Sequence, residues 1–137
     1  MSTHLREKEE KILRVIEHIR EESAKGVPLV VEGRKDVAAL RCLEVQGPII
    51  SFKTGGKSFA DAFHEIVQTG KMEIILLLDY DRRGREATKH LEQTMEKAGM
   101  KPQIKFWRDL FGLLGKEIQC VESLSAYLAT LQKRISM

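Results

Sequence analysis

The chain has 137 residues, the size of one compact domain. Hydrophobic residues make up 42% and charged residues 31%, a balance that excludes a disordered chain. The formal net charge of +3 is compatible with a nucleic-acid partner but too small to argue for one alone, and no apolar run approaches the roughly 20 residues of a membrane span.

Residues 4–25 predict one amphipathic helix. Leu5, Ile12, Leu13, Val15, Ile16 and Ile19 keep largely helical spacing, and charges fill the rest. Gly26 and Pro28 end it. Such a helix is suited to packing on a sheet or to pairing with a second copy, so a homodimer is a reasonable expectation. The highly charged first 25 residues show no signal-peptide pattern, which makes the cytoplasm the expected compartment and removes a membrane from the expected partners.

From residue 29 the pattern alternates. Residues 29–32 predict a strand and 35–45 a helix, broken by Gly47-Pro48. A second strand is expected over 49–52, and Ser58 is a plausible N-cap for a helix reaching about 69. The third strand, 73–79, contains the continuous run Ile74 to Leu78, as expected of a central strand buried on both faces. A helix over about 83–98, a short strand over 103–106 and a helical tail in two pieces divided near Gly115 complete the pattern. Repeated strand–helix alternation with short connections predicts an α/β fold, a Rossmann-like parallel four-stranded sheet flanked by helices. The expected organisation is a single domain with its core over about 29–106, the N-terminal helix before it and a helical extension over 107–137. Cys42 and Cys120 lack the spacing of a zinc site and, lying in apolar patterns, are expected to be buried free thiols.

Two of the predicted strands end in carboxylates. Glu32 ends the first and Asp79 the third, with Asp81 two residues further on. In a doubly wound sheet of order 2-1-3-4 these strands are neighbours at the switch point, so Glu32 would face Asp79. Positions i and i+2 of extended chain point the same way, so Asp79 and Asp81 can reach one cation while Tyr80 points elsewhere. Crowded carboxylates repel unless a cation compensates, and an all-oxygen set favours Mg²⁺ or Mn²⁺ over zinc. Glu32, slightly apart from the pair, is the candidate general acid or base. Asp36 falls in the first turn of a helix, where a capping role is expected. Arg34, Lys35, Lys53, Lys57, Arg82, Arg83 and Arg85 fall in or near the turns after strands and are the candidate nucleic-acid contacts.

Val31-Glu32-Gly33 followed by Asp36, and Asp79-Tyr80-Asp81-Arg82-Arg83-Gly84, resemble the two motifs of the Toprim domain. That domain is shared by topoisomerases, bacterial primases, recombination-associated proteins and small ribosomal-RNA maturation nucleases. The resemblance covers about residues 29–106. It implies Glu32 as general acid/base and Asp79 and Asp81 as Mg²⁺ ligands. Topoisomerases of the family usually carry Glu before the motif glycine, where this chain has Arg83, which moves the likeness toward primases and nucleases. The separate domain that supplies a topoisomerase's tyrosine, and those that priming needs, are not expected in a chain of this length. The expected function is thus Mg²⁺-dependent nucleic-acid processing, with phosphodiester cleavage of RNA or DNA the activity a lone domain could retain. Two rivals stay open. One is a non-catalytic module that binds RNA, DNA or protein. The other is a degenerate P-loop nucleotide hydrolase read from residues 51–58, although Ser51 stands where that loop needs glycine.

Overall fold

One strand shows how the molecule is layered. In the run Ile74-Ile75-Leu76-Leu77-Leu78 every side chain is buried, but alternate residues serve different cores. Ile75 and Leu77 join one apolar cluster, and Ile74, Leu76 and Leu78 join the other. Side chains of a strand point to opposite faces in turn, so a continuous apolar run needs helices on both sides.

The computed structural model describes residues 3–115 and 117–137. Helix α1 (Thr3–Ala24) precedes strand β1 (Leu29–Val31), followed by α2 (Arg34–Cys42), β2 (Ile49–Ser51), a 3-10 turn (Thr54–Gly56) and α3 (Phe59–Gln68). Strand β3 (Glu73–Leu76), α4 (Arg82–Lys97), β4 (Lys101–Gln103) and α5 (Lys105–Leu114) come next, then a second 3-10 turn (Val121–Ser123) and α6 (Leu124–Ser136). All strand pairs are parallel, in the order β2-β1-β3-β4 expected of a doubly wound sheet. Helices α1, α2, α5 and α6 cover one face, where Ile12, Ile16 and Ile19 meet Leu29, Val31 and Ile75. Helices α3 and α4 cover the other through Ala62, Ile66, Leu91 and Met95.

Two expectations need correction. The fourth strand occupies Lys101–Gln103, earlier than the expected 103–106. Its neighbour Ile104 already caps α5, and the Gln103 side-chain oxygen accepts from the N–H groups of Lys105 and Phe106. Phe106 is therefore a helical residue, buried in the α1-side core. Pro102 fits because β4 is an edge strand, where a missing backbone donor is tolerated. The thiols are also less enclosed than their apolar flanks implied: Cys42 is exposed on α2 and Cys120 half-buried.

Gly84 sets how closely α4 approaches the sheet. A Cβ there would lie 2.2 Å from the carbonyl oxygen of Asp79 and 2.8 Å from the Asp79 Cβ. No side chain fits against backbone at that distance, so glycine lets the first turn of α4 pack directly on the residue that ends the central strand's extension. The Gly84 N–H also donates to Asp81 Oδ1 at 2.7 Å, and its carbonyl accepts from buried Thr88 at 2.7 Å. Gly84→Ala is expected to cost about 1–3 kcal/mol through the displaced helix. Gly33→Ala, where a Cβ would meet nothing within 4 Å, should cost less than about 1 kcal/mol. Urea denaturation of both variants checks this; equal stability would mean that the close approach imposes no constraint.

Candidate metal centre

The carboxyl ends of β1 and β3 deliver their acids to one cleft of about 340 Å³. Beyond β1, the chain stays paired with the segment after β2: Phe52 N–H donates to the Val31 carbonyl at 2.8 Å, and Lys53 N–H to the Glu32 carbonyl at 2.9 Å. Glu32 is thereby fixed at a strand end, 6% exposed. Its Oε2 meets Lys53 Nζ at 3.1 Å, while Oε1 is buried without a hydrogen-bond partner. The extension of β3 is pinned in the same way, with Leu77 N–H donating to the Val30 carbonyl at 2.8 Å. It leads to Asp79, whose Oδ1 is also buried and unpartnered.

A buried acceptor with no donor costs about 1–3 kcal/mol, and more when charged. Asp79 shows the strain. Burial chiefly, then the negative charges of Glu32, Asp36 and Asp81, push its carboxyl up to about 7, with Lys53 opposing. Two orphaned carboxylate oxygens in one cleft are what a hard divalent cation would satisfy.

The residues between the acids are held away from them. Tyr80 is buried in the α1-side core against Trp107 and Phe111. Its hydroxyl donates to the Trp107 carbonyl at 3.0 Å, and the Trp107 indole N–H donates to the Leu78 carbonyl at 2.7 Å. Burial pushes the Tyr80 phenol well above its ordinary range, which suits a packing residue and not a nucleophile. Asp81 caps α4, its Oδ1 accepting from Gly84 N–H. One of its oxygens is thus engaged, yet its charge is still felt at Asp79.

The basic residues divide. Arg34, Lys35 and Lys53 line the cleft. Arg83 and Arg85 are exposed in the first turn of α4, and Arg82 pairs with Glu86 at 3.0 Å while staying open to solvent. Lys57 lies apart, donating to the Ser51 carbonyl at 2.6 Å and pairing with Glu65 at 2.8 Å. It is committed to the protein, and Ser58 caps α3 through Asp61 N–H at 3.1 Å. The residues of the P-loop alternative are thus used to build the turn before α3.

A family model described as the Toprim domain matches residues 27–108. The chain belongs to the Toprim family. That family binds metal ions and processes nucleic acids, which is the coarse function of this fold here. Among curated proteins, a UPF0292 protein of Methanocaldococcus jannaschii is 38% identical over 120 residues, covering 87% of this chain and 91% of its own. A UPF0292 protein of Archaeoglobus fulgidus is 37% identical over 112 residues, covering 82% and 85%. A solved structure of a protein from Aquifex aeolicus superposes with a TM-score of 0.67 at 22% identity, over 80% of this chain and 94% of that one, a likeness of fold.

Beside the motif acids of this Toprim domain lie residues whose part the sequence did not disclose. Asp36 does act as the expected cap, its Oδ2 accepting from Gly33 N–H at 3.1 Å. It is also 4% exposed, faces Asp79, and accepts at Oδ1 from the Glu122 N–H at 2.8 Å. The chain around Cys120 thus reaches the cleft from the C-terminal extension, and the Gln119 carbonyl accepts from Tyr80 N–H at 2.6 Å. The Val31-Glu32-Gly33…Asp36 spacing could have flagged Asp36. No local pattern announces Cys120, because its neighbours at the cleft are long-range contacts.

The raised Asp79 carboxyl has a consequence for stability. In the folded, metal-free protein Asp79 keeps a proton that the unfolded chain gives up near its ordinary value of 3.8. The associated stability is full below that value and is lost as pH rises through about 7. The metal-free midpoint of thermal unfolding should therefore fall from about pH 5 to about pH 8, and Asp79→Asn should flatten that fall. Melting curves in chelator across this range test it; parallel slopes for the two proteins would contradict the assignment.

Proposed function

We propose that this Toprim protein is a Mg²⁺-dependent phosphodiesterase acting on nucleic acid. The observation that carries the reading is the pair of buried, donorless carboxylate oxygens on Glu32 and Asp79 beside a basic rim. The donor set fits the ion: carboxylate oxygens with no histidine among the motif acids suit Mg²⁺ or Mn²⁺. Asp79, Asp81 and Glu32 would hold it. When bound, such an ion supplies positive charge against a phosphoryl oxygen and the leaving oxygen.

The chain's own groups do the rest. Lys53 fixes one oxygen of Glu32 through the 3.1 Å ion pair, which leaves Oε1 to take a proton from an attacking water or give one to the leaving oxygen. Lys53 also offsets the negative charge that Asp79 feels, easing the approach of an anionic phosphodiester. Arg34 and Lys35 stand in the first turn of α2, where backbone N–H groups and the helix dipole also favour phosphate. With Arg83 and Arg85 at the start of α4, they would position the backbone of a strand laid along the sheet edge. These contacts read charge and not sequence, and the aromatic content of 6% leaves few rings for base stacking.

The test is incubation with labelled structured RNA and with single- and double-stranded DNA in Mg²⁺ or Mn²⁺. Glu32→Gln should lower the cleavage rate by about 10²–10⁴-fold while leaving substrate binding intact. Asp79→Asn/Asp81→Asn should remove metal-dependent cleavage. Cleavage at the same rate by all three proteins would sink the catalytic assignment, and binding without cleavage by the wild type would make the protein a nucleic-acid-binding module.

A further inference from the structure

Cys120 lies beside two of the acids that line the cleft. Its sulfur and one carboxylate oxygen each from Asp36 and Asp79 all lie within 4.8 Å of one another. Three such groups alone are no site. A second observation points to a ligand: Glu32, more than nine-tenths buried, lines the same cleft as Asp36 and Asp79 and carries an unpartnered Oε1, and Asp79 Oδ1 is unpartnered as well. The thiol contacts Ser123 Oγ at 3.7 Å, a weak link that leaves the sulfur lone pairs available. Asp36 accepts one hydrogen bond at each oxygen, and a carboxylate has about four lone-pair positions.

We propose that Asp36, Asp79 and Cys120 form a site for a borderline-soft divalent ion of the Zn²⁺ class, distinct in ligand chemistry from the all-oxygen Mg²⁺ position. A thiolate selects zinc-like ions over Mg²⁺, and carboxylates complete such sites. Ligand atoms around a tetrahedral zinc stand roughly 3.6 Å apart, given bond lengths near 2.0–2.3 Å. With every pair within 4.8 Å, side-chain rotations closing at most about 1 Å suffice, on a segment already tied to Asp36 by Glu122 N–H and to Tyr80 by the Gln119 carbonyl. As the metal–sulfur bond forms, the thiol proton leaves to solvent. Asp79 belongs to both positions, so a zinc-class ion would compete with Mg²⁺ for it.

Titration of the metal-free protein with Co²⁺, a spectroscopic stand-in for zinc, reads the sulfur directly. The wild type should develop a near-ultraviolet thiolate-to-cobalt charge-transfer band. Cys120→Ser, nearly isosteric, should lose the band and weaken Zn²⁺ binding at least about 10- to 100-fold, the usual size of even an outer-shell loss. Its Mg²⁺ affinity should hold within about twofold. Cys42→Ser, changed on the exposed face of α2, should keep the band. No band in the wild type, or a band that survives Cys120→Ser and disappears in Cys42→Ser, overturns the proposal. Because the readout is sulfur ligation, it is decided whether or not the protein cleaves nucleic acid.

Discussion

The repulsion between Glu32 and Asp79 is the constraint around which the rest of the site is arranged. Both side chains hang from the carboxyl ends of adjacent parallel strands; Leu77 N–H holds the β3 extension to the Val30 carbonyl, and Lys53 N–H holds the Glu32 carbonyl from the β2 side. Backbone hydrogen bonds of this kind cannot be given up to let two charges drift apart without unzipping the centre of the sheet. The cost is met in part by Lys53 and in part by a proton on Asp79, whose carboxyl is held near 7. A cation would relieve both oxygens together, which makes the metal-free cleft a poised arrangement and not a relaxed one.

The remainder of the chain keeps the acids where they are. Gly84 lets α4 press on the Asp79 backbone, and Asp81 anchors the first turn of that helix. On the opposite side, buried Tyr80 and half-buried Trp107 form a wedge tied to the Trp107 and Leu78 carbonyls. The C-terminal extension closes the arrangement through the Gln119 carbonyl and Glu122 N–H. It therefore serves the site as well as the core, and it brings Cys120 among the acids.

Much of this was legible in the sequence because it is local. The apolar run ending in Asp79 reads as a central strand buried on both faces, as in a parallel sheet, and the doubly wound order 2-1-3-4, which places Glu32 beside it, is the one observed. Tyr80 could be turned away from the acids by parity alone. What escaped depends on contacts distant along the chain. Asp36 reads as a cap, and is one, but its second oxygen is matched with Glu122, 86 residues away. Lys57 reads as a free cation in a glycine loop, yet it is occupied by the Ser51 carbonyl and Glu65. The fourth strand was misplaced because Phe106 looks equally apolar in a strand or on a helix face, and only its packing against α1 decides.

The acid pair is a candidate cation site. Anomalous scattering from a crystal soaked in Mn²⁺ tests it most directly. A single strong peak is expected between the carboxylates of Glu32 and Asp79 in the wild type, and none there in Asp79→Asn. A wild-type crystal with manganese bound elsewhere, or with no peak in that cleft, would contradict it.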